Sequence, residues 1–129
     1  MNVLLDTHVF IWLDSNPKKL SKLALDICQD RANELHLSMV SIWEMQIKNQ
    51  LGKLHFEVPI SEMVNVQKQE NDLIIMGIEM EHIFRLKDLP AHHNDPFDRL
   101  LLSQSLENNI PIISADTKFE KYSGVTVLW

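Results

Sequence analysis

The feature that most narrows the fold is a series of short apolar runs, each separated from the next by a helical pattern. Asn2–Leu5 (NVLL) ends at Asp6. Leu35–Met39 (LHLSM) alternates, Leu73–Met76 (LIIM) is continuous, Ile110–Ser114 (IPIIS) leads to Asp116, and Thr126–Leu128 (TVL) lies at the C-terminus. Runs of this length and character read as buried strands. Between them, Thr7–Leu13 reads as a helix with Thr7 as its N-cap, and Asn16-Pro17 breaks the chain. Ser21 caps a second helix with Leu23, Ala24, Ile27 and Cys28 along its apolar stripe. The stretch SIWEMQIKNQLGK places Ile42, Met45, Ile47 and Leu51 on one helical face and stops at Gly52. Further helices are expected over Ser61–Asn71, Glu79–Leu86 and Pro96–Asn108. Strands alternating with helices imply a parallel sheet covered on both faces. In such sheets, sites form beyond the carboxyl ends of the strands.

The chain has 129 residues, enough for one domain over residues 1–129 with a core that needs no staples. One cysteine, Cys28, excludes an internal disulfide and an all-cysteine zinc site, and reads as a small core residue. The first residues carry Asp6, His8 and Asp14 without a basic start, so no signal peptide is expected. No run approaches the ~18 apolar residues of a membrane span, and the expected location is the cytoplasm. The formal net charge of −6 argues against a polyphosphate binder that works by bulk attraction. It leaves room for nucleic acid where metal ions supply positive charge locally, and it suits a basic protein partner.

Four acidic residues fall at element junctions: Asp6 after the first strand, Glu44 in SIWE on the first turn of its helix, Asp98 in DPFD, and Asp116 after IPIIS. Each has a purely structural reading. Ser41-x-x-Glu44 fits a capping box. Asp95 fits an N-cap with Pro96 at N1, leaving Asp98 at N3 where a carboxylate complements the helix dipole. Asp6 and Asp116 fit caps of their own. Gathered at one rim, however, four carboxylates would repel one another, raising pKa values or requiring a cation. Oxygen ligands without cysteines match Mg²⁺ or Mn²⁺ rather than structural zinc. Such metals polarise phosphodiester oxygens and activate water.

VLLDTHVFIW, S-x-x-E, DPFDRLLLSQ and IISADTKF, in that order, resemble a PIN domain, and most nearly the VapC-like ribonuclease toxins of bacterial type II toxin–antitoxin systems. The resemblance covers essentially the whole chain. It implies a three-layer α/β/α fold with a five-stranded parallel sheet of order 3-2-1-4-5, an acidic Mg²⁺ (or Mn²⁺) site, and endoribonuclease activity. It also implies an RNA substrate, a small cognate antitoxin and a homodimer. Asp6, Glu44, Asp98 and Asp116 match the four acidic positions, and Thr7 and Ser114 match small hydroxyl positions beside the cluster. Asp95 is a candidate to touch a metal-bound water.

The remaining polar residues divide between structural and substrate roles. His92 and His93 lack the i, i+4 spacing of a helical zinc pair and read either as a solvated loop or as contacts to phosphate or base. Arg99 suits a phosphate contact or a rim salt bridge. Lys48, one turn beyond Glu44, suits a substrate contact or a pair with Glu44. Trp12 and Trp43 read as packing residues more than as base-stacking ones. Leu51–Asn71 is expected to form an exposed helical hairpin carrying Leu54, Phe56, Val58, Ile60 and Met63 toward a partner. Two other readings compete: a non-cleaving PIN-like binding module, and a phosphatase of haloacid-dehalogenase type. The second wants an aspartate two residues after Asp6, where this chain has His8.

Overall fold

A computed structural model describes every residue from Met1 to Trp129. Strand β1 (Asn2–Leu5) leads into helix α1 (Thr7–Ser15), and α2 (Lys22–Gln29) precedes β2 (Glu34–Ser38) and α3 (Met39–Gln50). Next come α4 (Ile60–Asn71), β3 (Ile74–Met76), the short α5 (Met80–Phe84), α6 (Pro96–Asn108), β4 (Ile112–Ile113) and β5 (Val127–Leu128). The strands form one sheet of order β3-β2-β1-β4-β5, and every pairing is parallel. This is the three-layer α/β/α arrangement expected.

The two-residue period of β1 explains why its apolar run is continuous. Val3 and Leu5 point into a core shared with Val9, Phe10, Leu37 and Met63, whereas Leu4 points into a second core with Leu101, Ile112 and Phe119. All three β1 side chains are fully buried. Because all strands run the same way, Asp6 and Ser114 emerge on one side of the sheet. That side includes the point where the chain order reverses between β1 and β4.

Several expectations are corrected. The N-cap of α1 is Asp6, not Thr7, and α1 continues two residues past Leu13. Helix α3 begins at Met39 because Ser38, still paired to β3, accepts the Val40 N–H. Ser41 is therefore not a cap, the expected capping box does not form, and Glu44 lies on the second turn rather than the first. Residues 51–59 form a connection, so no helical hairpin exists there: Gly52 takes φ 73° after α3, and Pro59 precedes α4. Met63 and Val64 of α4 pack into the larger core, with Phe56 and Ile60 against its margin. Helix α5 tightens into a 3₁₀ turn over Arg85–Asp88. Strand β4 is shorter than IPIIS because the Ile110 N–H closes the end of α6 on Ser105 and Pro111 has no N–H to give.

Candidate active site

Helix α6 starts as its sequence suggests. Asp95 Oδ1 accepts the N–H groups of Phe97 (2.8 Å) and Asp98 (3.4 Å), and Pro96 occupies the first turn. This start fixes Asp98 at the rim. Asp98 and Asp116 stand with His93 in a group whose donor atoms all lie within 4.8 Å of one another. Asp6 and Glu44 adjoin the same rim from α1 and α3, and both are buried.

Hydroxyl groups hold these carboxylates. Asp6 Oδ1 accepts the Thr7 N–H at 2.7 Å, and its Oδ2 accepts the Ser114 hydroxyl at 2.7 Å. Thr7 Oγ1 lies 2.7 Å from Glu44 Oε1 and 2.8 Å from Ser41 Oγ. A carboxylate only accepts, so the single Thr7 hydrogen goes to Glu44 and Ser41 donates to Thr7. Glu44 Oε2 accepts from Lys48 Nζ, which also lies 3.7 Å from Asp95 Oδ2. Asp116 Oδ1 accepts the Lys118 N–H at 2.9 Å, and its Oδ2 meets His93 Nε2 at 2.9 Å. The Asp98 carboxylate alone has no hydrogen-bond partner in the protein.

The electrostatics follow from this geometry. Burial, reinforced by the charges of Asp95, Asp6, Glu44 and Asp116, pushes the Asp98 carboxyl up to about 7. Burial also raises Asp6, against the opposing effects of Ser114, His8 and the Thr7 N–H. Asp116 moves the other way: burial pushes it up, but His93 and the Lys118 N–H outweigh that and hold it below the ordinary carboxylate value. At Lys48, burial opposes the charge, yet Glu44, Asp95 and Asp98 outweigh it and raise the pKa. Lys48 thus answers Glu44, Asp95 and Asp98, and Lys118 acts on Asp116, so two ammonium groups stand against five carboxylates. Carboxylate-rich donors with uncompensated negative charge and no thiolate fit a hard divalent cation such as Mg²⁺ or Mn²⁺. None of the hollows in the surface is lined by these carboxylates.

The other candidate residues are placed unevenly. His92 is exposed and meets the Tyr122 ring edge-on at 4.9 Å. His93 is buried, not solvated, because Tyr122 and Asp116 take both its ring nitrogens. Arg99 forms no salt bridge: its guanidinium donates to the carbonyls of Pro90 (2.9 Å), Leu86 (3.1 Å) and Leu89 (3.4 Å), bracing the loop before α6. Lys48 makes the Glu44 pair that the helical spacing offers. Trp43 is 54% exposed and packs edge-to-face on Phe97, whereas Trp12 packs between His8 and Trp129. The sequence reading missed Tyr122 altogether and assigned Ser41 to a different bond. A lone tyrosine in a polar turn carries no signal of a partner 29 residues away.

A family model described as "PIN domain" matches residues 3–125. The chain is 24% identical over 121 residues to "Ribonuclease VapC22" of Mycobacterium tuberculosis, covering 93% of this chain and 91% of that protein. Among solved structures, its fold is similar to VapBC2 from Rickettsia felis bound to a DNA fragment from their promoter. That match has a TM-score of 0.72 and 13% identity, over 98% of this chain and 97% of the other. It is similar also to DNA-bound VapBC from Salmonella typhimurium, with a TM-score of 0.68 and 12% identity, over 98% of this chain and 96% of the other. The family match runs from the first strand to Val125, just short of the last strand, and takes in all four carboxylates, so the chain belongs to the PIN domain family.

Proposed function

We propose that this protein is a Mg²⁺- or Mn²⁺-dependent endoribonuclease, the toxin of a type II toxin–antitoxin pair. In this reading it acts in the cytoplasm as a homodimer, is restrained by a cognate antitoxin, and hydrolyses RNA phosphodiesters. The observation that carries the reading is the meeting of Asp6, Glu44, Asp98 and Asp116 from four separated segments. Burial, reinforced by the charges of Asp95 and of the other three, lifts Asp98 to about 7. A structural role for carboxylates would be met by pairing each with a donor, and Asp98 has none. The similarity to a protein named a ribonuclease, and to VapBC complexes, supports the substrate class and the antitoxin.

Asp6, Glu44, Asp98 and Asp116 would hold the cation. Bound there, it supplies a Lewis acid for a phosphodiester oxygen, a lowered pKa for water and counter-charge for the leaving oxygen. The protein's own groups do the rest. Ser114 and the Thr7 N–H fix the two oxygens of Asp6, and Thr7 and Lys48 fix those of Glu44. Unbonded Asp98 is the carboxylate able to turn. Lys48 and exposed His92 are the groups at this rim suited to an RNA phosphate or base, while Arg99 would act through the loop it braces and His93 through Asp116. With water attacking phosphorus and the bond to the 3′ oxygen breaking, the products carry a 5′-phosphate and a 3′-hydroxyl.

The test is cleavage of cellular RNA by the purified protein, followed by mapping of the 5′ ends. Cleavage that EDTA stops and Mn²⁺ restores, and that Asp98→Asn loses, supports the reading. Retained RNA binding without cleavage by the wild type would favour a binding module instead.

A further inference from the structure

His93 has the geometry of a metal ligand, but its hydrogen bonds give it another task. Its backbone N–H donates to the Tyr122 hydroxyl oxygen at 2.9 Å, and that same hydroxyl lies 3.0 Å from His93 Nδ1. Nε2 lies 2.9 Å from Asp116 Oδ2. Tyr122 is 2% exposed and His93 6%, so water does not reach this pair freely. The ring stacks on Tyr122 at 5.5 Å between centroids and leans on Phe119 at 4.8 Å.

The proton count in this closed loop is determined. A tyrosine hydroxyl has one hydrogen to donate, and its oxygen is already taken by the backbone N–H. Its only other neighbour is Nδ1, so the hydroxyl donates to Nδ1 and Nδ1 carries no hydrogen. The ring hydrogen is then on Nε2, and it is donated to Asp116. In the other tautomer, Nδ1–H and Tyr122 O–H would face each other, and one buried donor would go without an acceptor. That costs roughly 1–3 kcal/mol.

We propose that His93 is a positioning residue of the carboxylate rim: Tyr122 holds the ring with its Nε2–H toward Asp116, and through it aims Asp116. This rests on the metal-site reading above and adds residues to it. With Nε2 donating and Nδ1 accepting, neither nitrogen is open to a cation. Asp116 keeps one oxygen on His93 and the other on the Lys118 N–H, so its orientation is fixed from both sides. Outer donors to ligating carboxylates and histidines typically change metal affinity by about 10–100-fold when removed.

The experiment has two readouts. Nitrogen-15 NMR of histidine-labelled wild-type protein reports which ring nitrogen of His93 carries the proton, with or without metal. Mn²⁺ titration followed by EPR of the free ion reports affinity without reference to catalysis. The expected results are an Nε2–H signature in the wild type and Mn²⁺ affinity weakened about 10-fold or more in His93→Ala. His93→Gln, whose amide nitrogen can reach the Nε2 position, should recover most of the affinity. Tyr122→Phe, which keeps the ring stack, should weaken binding several-fold and broaden the His93 signals. An Nδ1–H signature in the wild type would overturn the proposal whatever the metal result. So would Mn²⁺ affinity in His93→Ala and Tyr122→Phe equal to that of the wild type, or His93→Gln no better than His93→Ala. Failure of the metal-site reading looks different: the wild type would bind no Mn²⁺, or Asp98→Asn would bind it as tightly as the wild type, while the NMR readout still decides the histidine assignment.

Discussion

The hydroxyl of Thr7 donates to Glu44 Oε1 at 2.7 Å, joining the start of α1 to the second turn of α3. Ser41 completes the contact by donating to Thr7 at 2.8 Å. The three side chains are almost wholly buried, so bulk water does not replace the bond. Thr7→Val keeps the shape and removes the donor. It is expected to cost about 1–3 kcal/mol in denaturant unfolding, because Glu44 Oε1 and the Ser41 hydroxyl both lose a partner. RNA cleavage should fall with it. Thr7→Ser should retain both properties.

Asp98→Asn separates stability from activity. The substitution removes a charge that four neighbouring carboxylates oppose. In EDTA the variant should unfold at a higher temperature than the wild type, by a stabilisation of roughly 0.5–2 kcal/mol. Cleavage in Mg²⁺ or Mn²⁺ should be lost. Asp6→Asn should also lose cleavage, without the same gain, because it weakens the bond from Ser114.

The raised Asp98 pKa fixes the sign of a pH effect in metal-free protein. Between the ordinary value of 3.8 and about 7, folded Asp98 holds a proton that the unfolded chain has released. Stability therefore falls as pH rises through that window, and the melting temperature in EDTA should be higher near about pH 5 than near about pH 8. Raised Asp6 acts in the same direction. Lowered Asp116 acts oppositely, with stability lost as pH falls below about 4. Added Mg²⁺ should flatten or reverse the trend, giving about 2.7 kcal/mol of stabilisation at 100 times its Kd.

Lys48→Met tests the ammonium that pairs with Glu44. Glu44 is 2% exposed, so loss of its ion pair leaves a buried, unpaired charge. The metal-free variant should be less stable by about 1–3 kcal/mol, measured by chemical denaturation. Divalent metal should then raise its melting temperature by more than it raises that of the wild type. An equal metal response in the two proteins would mean that Lys48 does not share the carboxylate field.

How much of this was legible in the sequence can be judged element by element. Helix α6 was readable to the residue, because Asp95-Pro96 makes a local cap and Asn109 adopts φ 51° at the other end. The strands of β1 and β4 were readable because burial on both faces leaves unbroken apolar runs. The capping box at Ser41 was a sound local reading that lost to an earlier cap: Ser38 is held in place by pairing with β3, which no window around residue 41 contains. The hairpin expected over Leu51–Asn71 lost for the same kind of reason, since Met63 and Val64 are claimed by the sheet.

The sequence by itself determined the alternation of strands and helices and the cap that opens α6, and it singled out the four carboxylates as candidates by their junction positions and the resemblance they carry. These depend on local periodicity and on residue types near each other in the chain. Only the tertiary structure decided how the carboxylates are held. Ser114 reaches Asp6 across 108 residues, Thr7 reaches Glu44 across 37, and Tyr122 closes on His93 across 29. Hydroxyl bonds of this kind leave no periodic trace. They exist because parallel strands deliver distant segments to one rim, where buried donors and acceptors must find one another.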